Sequence, residues 1–157
     1  MQSRLNFYTA APDAIKAMRE LEDYVRNCGL QHSLIELVKT RASQINGCAF
    51  CVHMHTRDAR AAGESEERLY LLSAWRESPL YTPRERAALA WTETLTLVAK
   101  TGAPDQDYEE ARRHFADDEL VKLTLLVGAI NVWNRLCIGF RSIHPVESGT
   151  IAAAASA

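Results

Sequence analysis

The sequence has almost no net charge: 18 basic against 20 acidic residues leave −2. No basic patch stands out, which argues against nucleic acid as a partner. It lacks any alternating apolar–polar run of the kind that makes a half-buried strand. It lacks an apolar stretch at its start, where residues 1–8 read MQSRLNFY. No secretory signal is expected, so a cytoplasmic address is expected. In reducing surroundings structural disulfides are not expected, and two close cysteines point to redox chemistry or a metal. No internal repeat and no linker divides the 157 residues, so one domain over 1–157 is expected. The apolar share, 47%, is that of a soluble globular chain with enough side chains for a real core.

What is present is helical spacing. Residues 1–11 read as an extended arm. Pro12 suits the first turn of a helix to about Cys28, with Ala14, Met18, Leu21, Val25 and Cys28 as one apolar stripe and Gly29 as its stop. Cys28 belongs to that stripe and reads as packing. A second helix opens near Ser33, turns Leu34, Val38, Ala42 and Ile45 inward, and breaks at Asn46-Gly47. A third runs from about Cys48 to Ala62, and Gly63 stops it. A short fourth carries Leu69, Leu72 and Trp75. Thr82-Pro83-Arg84-Glu85 supplies a Thr cap, Pro at the first position and Glu at the third. The helix it opens carries Ala88, Trp91, Leu95 and Val98, and Gly102 closes it. A short helix starts at Asp107, and Asp117-Asp118 caps a long one to about Gly139.

The expected class is therefore all-α, with six or seven helices. The last helix is apolar nearly all round but holds Lys122, Asn131, Asn134 and Arg135. A membrane span rarely tolerates these, so the helix belongs in a core or a subunit interface. Its apolar surface predicts an oligomer. The small polar tail after His144-Pro145 carries no expected regular structure.

The chemistry concentrates in Cys48-Ala-Phe50-Cys51-Val-His53-Met-His55. On a helix, Cys48, Cys51 and His55 lie at i, i+3 and i+7, on one face. The helix start offers free N–H groups that favour a thiolate, and His55 lies one turn beyond Cys51 to handle a proton. A thiolate can open a peroxide bond, become a sulfenic acid and condense with a second thiol. The same three side chains also make three corners of a zinc site, with Glu36 or His53 as a fourth ligand, although no second Cys/His pair follows. His53 points to nearly the opposite side from His55, which suits surface or packing. Ser33-x-x-Glu36 reads as a capping box. Trp75, Trp91 and Trp133 read as core or interface aromatics.

Glu36, followed twelve residues later by Cys48-x-x-Cys51-x-x-x-His55, resembles the core motif of the alkylhydroperoxidase D (AhpD)-like proteins of the carboxymuconolactone decarboxylase superfamily. The stretches beginning at Lys39, Trp75, Thr82 and Ile130 are similar too, so the resemblance spans roughly residues 30–140. It implies an AhpD-like helical bundle assembled as a trimer or hexamer. It implies hydroperoxide reduction in antioxidant defence, with Cys51 peroxidatic, Cys48 resolving, and His55 and Glu36 as a proton relay. No cofactor or metal is implied, and the pair is re-reduced by an external dithiol, lipoyl or thioredoxin-like. Phe50 stands where the best-studied peroxidases of the family carry a His, which removes one relay group. The superfamily's decarboxylases lack the Cys pair, so lactone decarboxylation is not expected. A general thiol–disulfide oxidoreductase or redox sensor, and a metal-binding module, are the competing expectations.

Overall fold

The computed structural model describes residues 2–146. Among these are nine α-helices, one 3-10 turn and no strand, as the spacing predicts for the class. The helices are α1 (Phe7–Ala10), α2 (Pro12–Arg26), α3 (His32–Asn46), α4 (Ala49–Ala61), α5 (Glu66–Leu71), α6 (Pro83–Thr96), α7 (Val98–Thr101), α8 (Asp105–Arg112) and α9 (Asp117–Phe140). The 3-10 turn, Leu72–Ala74, extends α5. The two helices beyond the expected seven are single turns. One is α1, inside the stretch expected to be extended. There Asn6 caps by accepting the Tyr8 N–H at 3.0 Å, and Phe7 is buried against the Phe140 ring. The other is α7, where the chain bends at Leu97. The expected tail of residues 147–157 lies outside the described residues.

α3 is the centre of the molecule. It packs against α4, α6 and α9, and every residue from Leu34 to Thr40 is buried. A helix walled in on all sides has no solvent face, so its polar residues must find internal partners. Glu36, Lys39 and Ser43 do so. The capping box expected at Ser33 does not form, because the helix starts two residues earlier with Gln31 as its cap. Thr82 and Glu85 do form theirs.

One turn fixes the reactive stretch. Gly47 ends α3 in the left-handed conformation, φ +69°, where a residue with a Cβ costs roughly 1–2 kcal/mol. The Cys48 N–H then reaches back to the Ser43 carbonyl at 2.9 Å, and the Gly47 N–H to that of Gln44. This is the paired closure of a Schellman turn. Cys48 is at once the last residue of that turn and the N-cap of α4. Its backbone is thus held from both sides, and its side chain with it.

α9 crosses beneath this junction. Asn46 donates to Asn131 at 3.0 Å and to Asn134 at 2.8 Å, and Asn134 donates to Ser43 at 3.0 Å. Two of the polar residues that argue against a membrane span, Asn131 and Asn134, therefore tie α9 to the end of α3. Residues 2–6 run along the end of α9, where the Arg4 N–H donates to the Phe140 carbonyl at 3.0 Å.

Candidate active site

The Cys48 and Cys51 sulfurs lie 2.7 Å apart. The Cys51 backbone N–H also donates to the Cys48 sulfur, at 3.4 Å, so the thiol itself caps α4. A third thiol, Cys137 of α9, completes the group: all three sulfurs lie within 4.8 Å of one another, and all three residues are buried. They sit in an apolar cluster with Phe7, Ile15, Ala42 and Ile130. Sequence reading missed Cys137, which lies in an apolar helix with no motif around it. Its one signal is position: Ile130, Asn134 and Cys137 fall at i, i+4 and i+7 on the inward face of α9.

The imidazole of His55 is buried beside them, one turn and a half along α4. Its Nδ1 pairs with Glu36 Oε2 at 2.9 Å. Glu36 is thus a partner for His55 rather than a helix cap. With Glu36 ionised, Nδ1–H donates to it, and Nε2 is left to accept or carry a proton. Asp58, a turn further on, brings its carboxylate within 4.8 Å of both groups. Lys39, buried on α3, pairs with Glu22 of α2, and Glu22 also accepts from the Trp133 indole at 3.2 Å. His53 leaves the site, as its position predicts, and stacks on His144 with ring centroids 4.8 Å apart.

A cavity of about 280 Å³ opens onto these groups. Cys51, Cys137, His55 and Glu36 line it, and Cys48 does not. Tyr8, Phe50, Met54 and Trp133 give it a largely apolar wall, and Arg19, Glu22, Arg26, Lys39 and Asp58 add charge. Of the three tryptophans, Trp133 therefore lines the cavity beside the sulfurs, while Trp75 and Trp91 lie away from it.

Donors for a metal fall into two separate sets among the described residues. One is Cys48, Cys51 and Cys137; the other is Glu36, His55 and Asp58. The trio considered for zinc, Cys48, Cys51 and His55, is not gathered into one set, because His55 turns to Glu36. His53, a considered fourth ligand, is occupied with His144.

The charge distribution follows from the hydrogen bonds. The Cys48 thiol is pulled down to about 3, by donation from the Cys137 and Cys51 thiols and then from the Cys51 N–H, against the opposing effect of burial. Cys51 is pushed far up, first by its contact with Cys137 and then by the charged Cys48 sulfur and by burial. Cys137 is raised mainly by Cys48. The contacts among the three sulfurs thus favour the thiolate at Cys48 over one at Cys51 or Cys137. Glu36 is a second case of competition. Burial would raise its carboxyl, but the His55 hydrogen bond and the His55, Lys39 and His32 charges outweigh burial and leave it below its ordinary value. Tyr8 is raised, by burial first and by the neighbouring Cys137.

Comparison with known proteins bears on the family and the fold. The model of the carboxymuconolactone decarboxylase family matches residues 11–94. The uncharacterized protein YdfG of Bacillus subtilis is 43% identical over 138 residues, which is 88% of this chain and 94% of YdfG. A crystal structure of a protein of unknown function from Agrobacterium tumefaciens, put forward as an antioxidant defence protein AhpD, superposes with a TM-score of 0.91. It shares 54% identity, over 93% of this chain and all of that one. The debrominase Bmp8 shares the fold at 17% identity, with a TM-score of 0.75 over 88% of this chain and 74% of its own. The all-helical bundle is that of an AhpD-like protein, and the chain belongs to the carboxymuconolactone decarboxylase family.

Proposed function

We propose that the chain is a thiol-dependent peroxidase, reducing hydroperoxides through Cys48 and Cys51 in antioxidant defence. The observation that carries this reading is the pairing of a cavity-facing sulfur, Cys51, with a second sulfur 2.7 Å behind it. As a hydroperoxide enters, the Cys51 proton passes to its neighbours and the Cys51 sulfur attacks the terminal peroxide oxygen. The O–O bond breaks, and the departing oxygen leaves as an alcohol after taking a proton from His55. Cys51 is then a sulfenic acid. Cys48 attacks its sulfur, the S–O bond breaks, water departs and a disulfide remains. Two electrons have passed from the dithiol to the peroxide. An external dithiol, lipoyl or thioredoxin-like, returns them. Glu36 holds the His55 ring and its charge through the cycle. The Agrobacterium protein's suggested role in antioxidant defence supports the reading.

Phe50 favours a second reading. An apolar ring lines the cavity beside Cys51 and supplies no proton. A general thiol–disulfide oxidoreductase or redox sensor would need none there. Stopped-flow thiol consumption with hydrogen peroxide and with an organic hydroperoxide separates the two. The peroxidase is expected to exceed a model thiol clearly with at least one of them. Peroxide rates no faster than a model thiol, beside brisk disulfide reduction, would select the second reading.

The reducing cytoplasm suits either cycle. A homo-oligomer, trimer or hexamer, is also proposed. Val121, Leu125, Gly128 and Val132 make an exposed, mostly apolar stripe on α9, with Ile138 beyond. Such a stripe is more than isolated surface residues. Light scattering at micromolar concentration is expected to give a multiple of the chain mass, and a monomer would contradict it.

A further inference from the structure

Cys137 takes no part in the cycle above, yet it is the third corner of the sulfur cluster. Its residue is 6% exposed, and it reaches the site from α9, an element separate from the one that holds the pair. It shares the cavity wall with Cys51, while Cys48 lies away from the cavity. Three sulfurs within 4.8 Å of one another lie a short movement from the disulfide bonding distance, about 2.05 Å. Phe7, Ile15, Ala42 and Ile130 pack around the group.

We infer that Cys137 is a second resolving thiol, able to form a disulfide with Cys51 in place of Cys48. The inference rests on the proposed peroxidase cycle for its oxidant, a hydroperoxide. When Cys51 is a sulfenic acid, the Cys137 sulfur attacks the Cys51 sulfur. The S–O bond breaks, the hydroxyl leaves as water with the Cys137 proton, and an S–S bond joins α4 to α9. The same product arises by exchange: the Cys137 thiolate attacks Cys51 within the Cys48–Cys51 disulfide and releases Cys48 as a thiolate. A Cys51 sulfenic acid left exposed to more peroxide would go on to sulfinic acid. A second resolving thiol on the cavity wall shortens its lifetime.

The sequence makes the test direct. Trypsin releases Cys48 and Cys51 together in residues 42–57 and Cys137 in residues 136–141. A Cys48–Cys51 disulfide stays inside one peptide, and a Cys51–Cys137 disulfide joins two. Cys48→Ser keeps an N-cap side chain that α4 accepts, and a cooperative thermal transition checks its fold. The variant is treated with diamide, which oxidises neighbouring thiols without a peroxide, and separately with one equivalent of cumene hydroperoxide. Both are expected to yield the joined peptide in most chains. With excess peroxide, Cys48→Ser/Cys137→Ser is expected to accumulate Cys51 sulfinic acid several times faster than Cys48→Ser. Free, alkylatable Cys51 and Cys137 after diamide in folded Cys48→Ser would overturn the inference. So would a joined peptide with no difference in sulfinic acid between the two variants. Joining by diamide but not by peroxide, with no peroxide oxidation of the wild-type pair, would uphold Cys137 as a partner thiol and remove the peroxidase reading instead.

Discussion

Cys51→Ser is expected to abolish hydroperoxide reduction, lowering the rate by at least about 10³-fold, because a serine hydroxyl is no nucleophile at neutral pH. Cys48→Ser is expected to behave differently. The first sulfenic acid still forms, and with Cys137 also replaced, in Cys48→Ser/Cys137→Ser, a sulfenic-acid trap such as dimedone labels residue 51. The Cys48 thiol is lowered and the Cys51 thiol is raised. Two considerations decide for Cys51. Access is the first: Cys51 lines the cavity and Cys48 does not. Coupling is the second: the two sulfurs are 2.7 Å apart, and they titrate as a unit rather than as separate residues. Passing the Cys51 proton to Cys48 leaves the charge on the sulfur that meets the substrate. If Cys48 were the attacking atom, the outcomes would reverse. Dimedone would label residue 48 in Cys51→Ser, and Cys48→Ser would form no sulfenic acid.

Glu36→Gln is expected to slow peroxide reduction by about 10- to 100-fold, less than the roughly 10²–10⁴ attached to loss of a whole acid–base group. The carboxylate does not meet the peroxide in the proposed cycle; it fixes which nitrogen of His55 carries a proton, at 2.9 Å. The amide keeps the shape and loses the charge. His55→Ala should therefore cost more than Glu36→Gln, and adding Glu36→Gln to His55→Ala should cost little further. Stability gives a second readout. The folded carboxyl of Glu36 lies below its ordinary value of 4.5. Folding therefore favours the ionised form. The stability this contributes is present above the ordinary value and is lost as pH falls through the lower, folded one. Urea unfolding of wild type and Glu36→Gln should differ by a constant amount from neutral pH down to about 5, and the gap should narrow on further acidification. A pH-independent gap would mean that Glu36 is not held as a carboxylate by its neighbours.

The fold was legible where spacing and chain punctuation agree. Pro12, the Thr82 box, Gly47 and Gly102 each stop or start a helix where expected, since each acts within one turn of itself. The reactive pair and its histidine were legible for the same reason, because i, i+3 and i+7 are local relations. Glu36 shows the limit. Its local signal, Ser33-x-x-Glu36, pointed to a cap, and the long-range contact with His55 prevailed through burial of both. Only the family motif pointed that way. Cys137, Trp133 and Tyr8 were not legible as site residues. They reach the cavity from α9 and the N-terminal segment, 80 or more positions beyond Cys51 in the first two cases and about 40 before it in the third. Sequence periodicity says which face of a helix is inward, but not which other helix it meets.

The most direct test of the central claim is a peptide map of the wild-type protein after one equivalent of hydroperoxide. Residues 42–57 are expected to emerge lighter by two hydrogens, closed into an internal disulfide, and to return to the open dithiol with dihydrolipoamide. Recovery of that peptide with both cysteines still open to alkylation, while the peroxide remains unconsumed, would contradict the account.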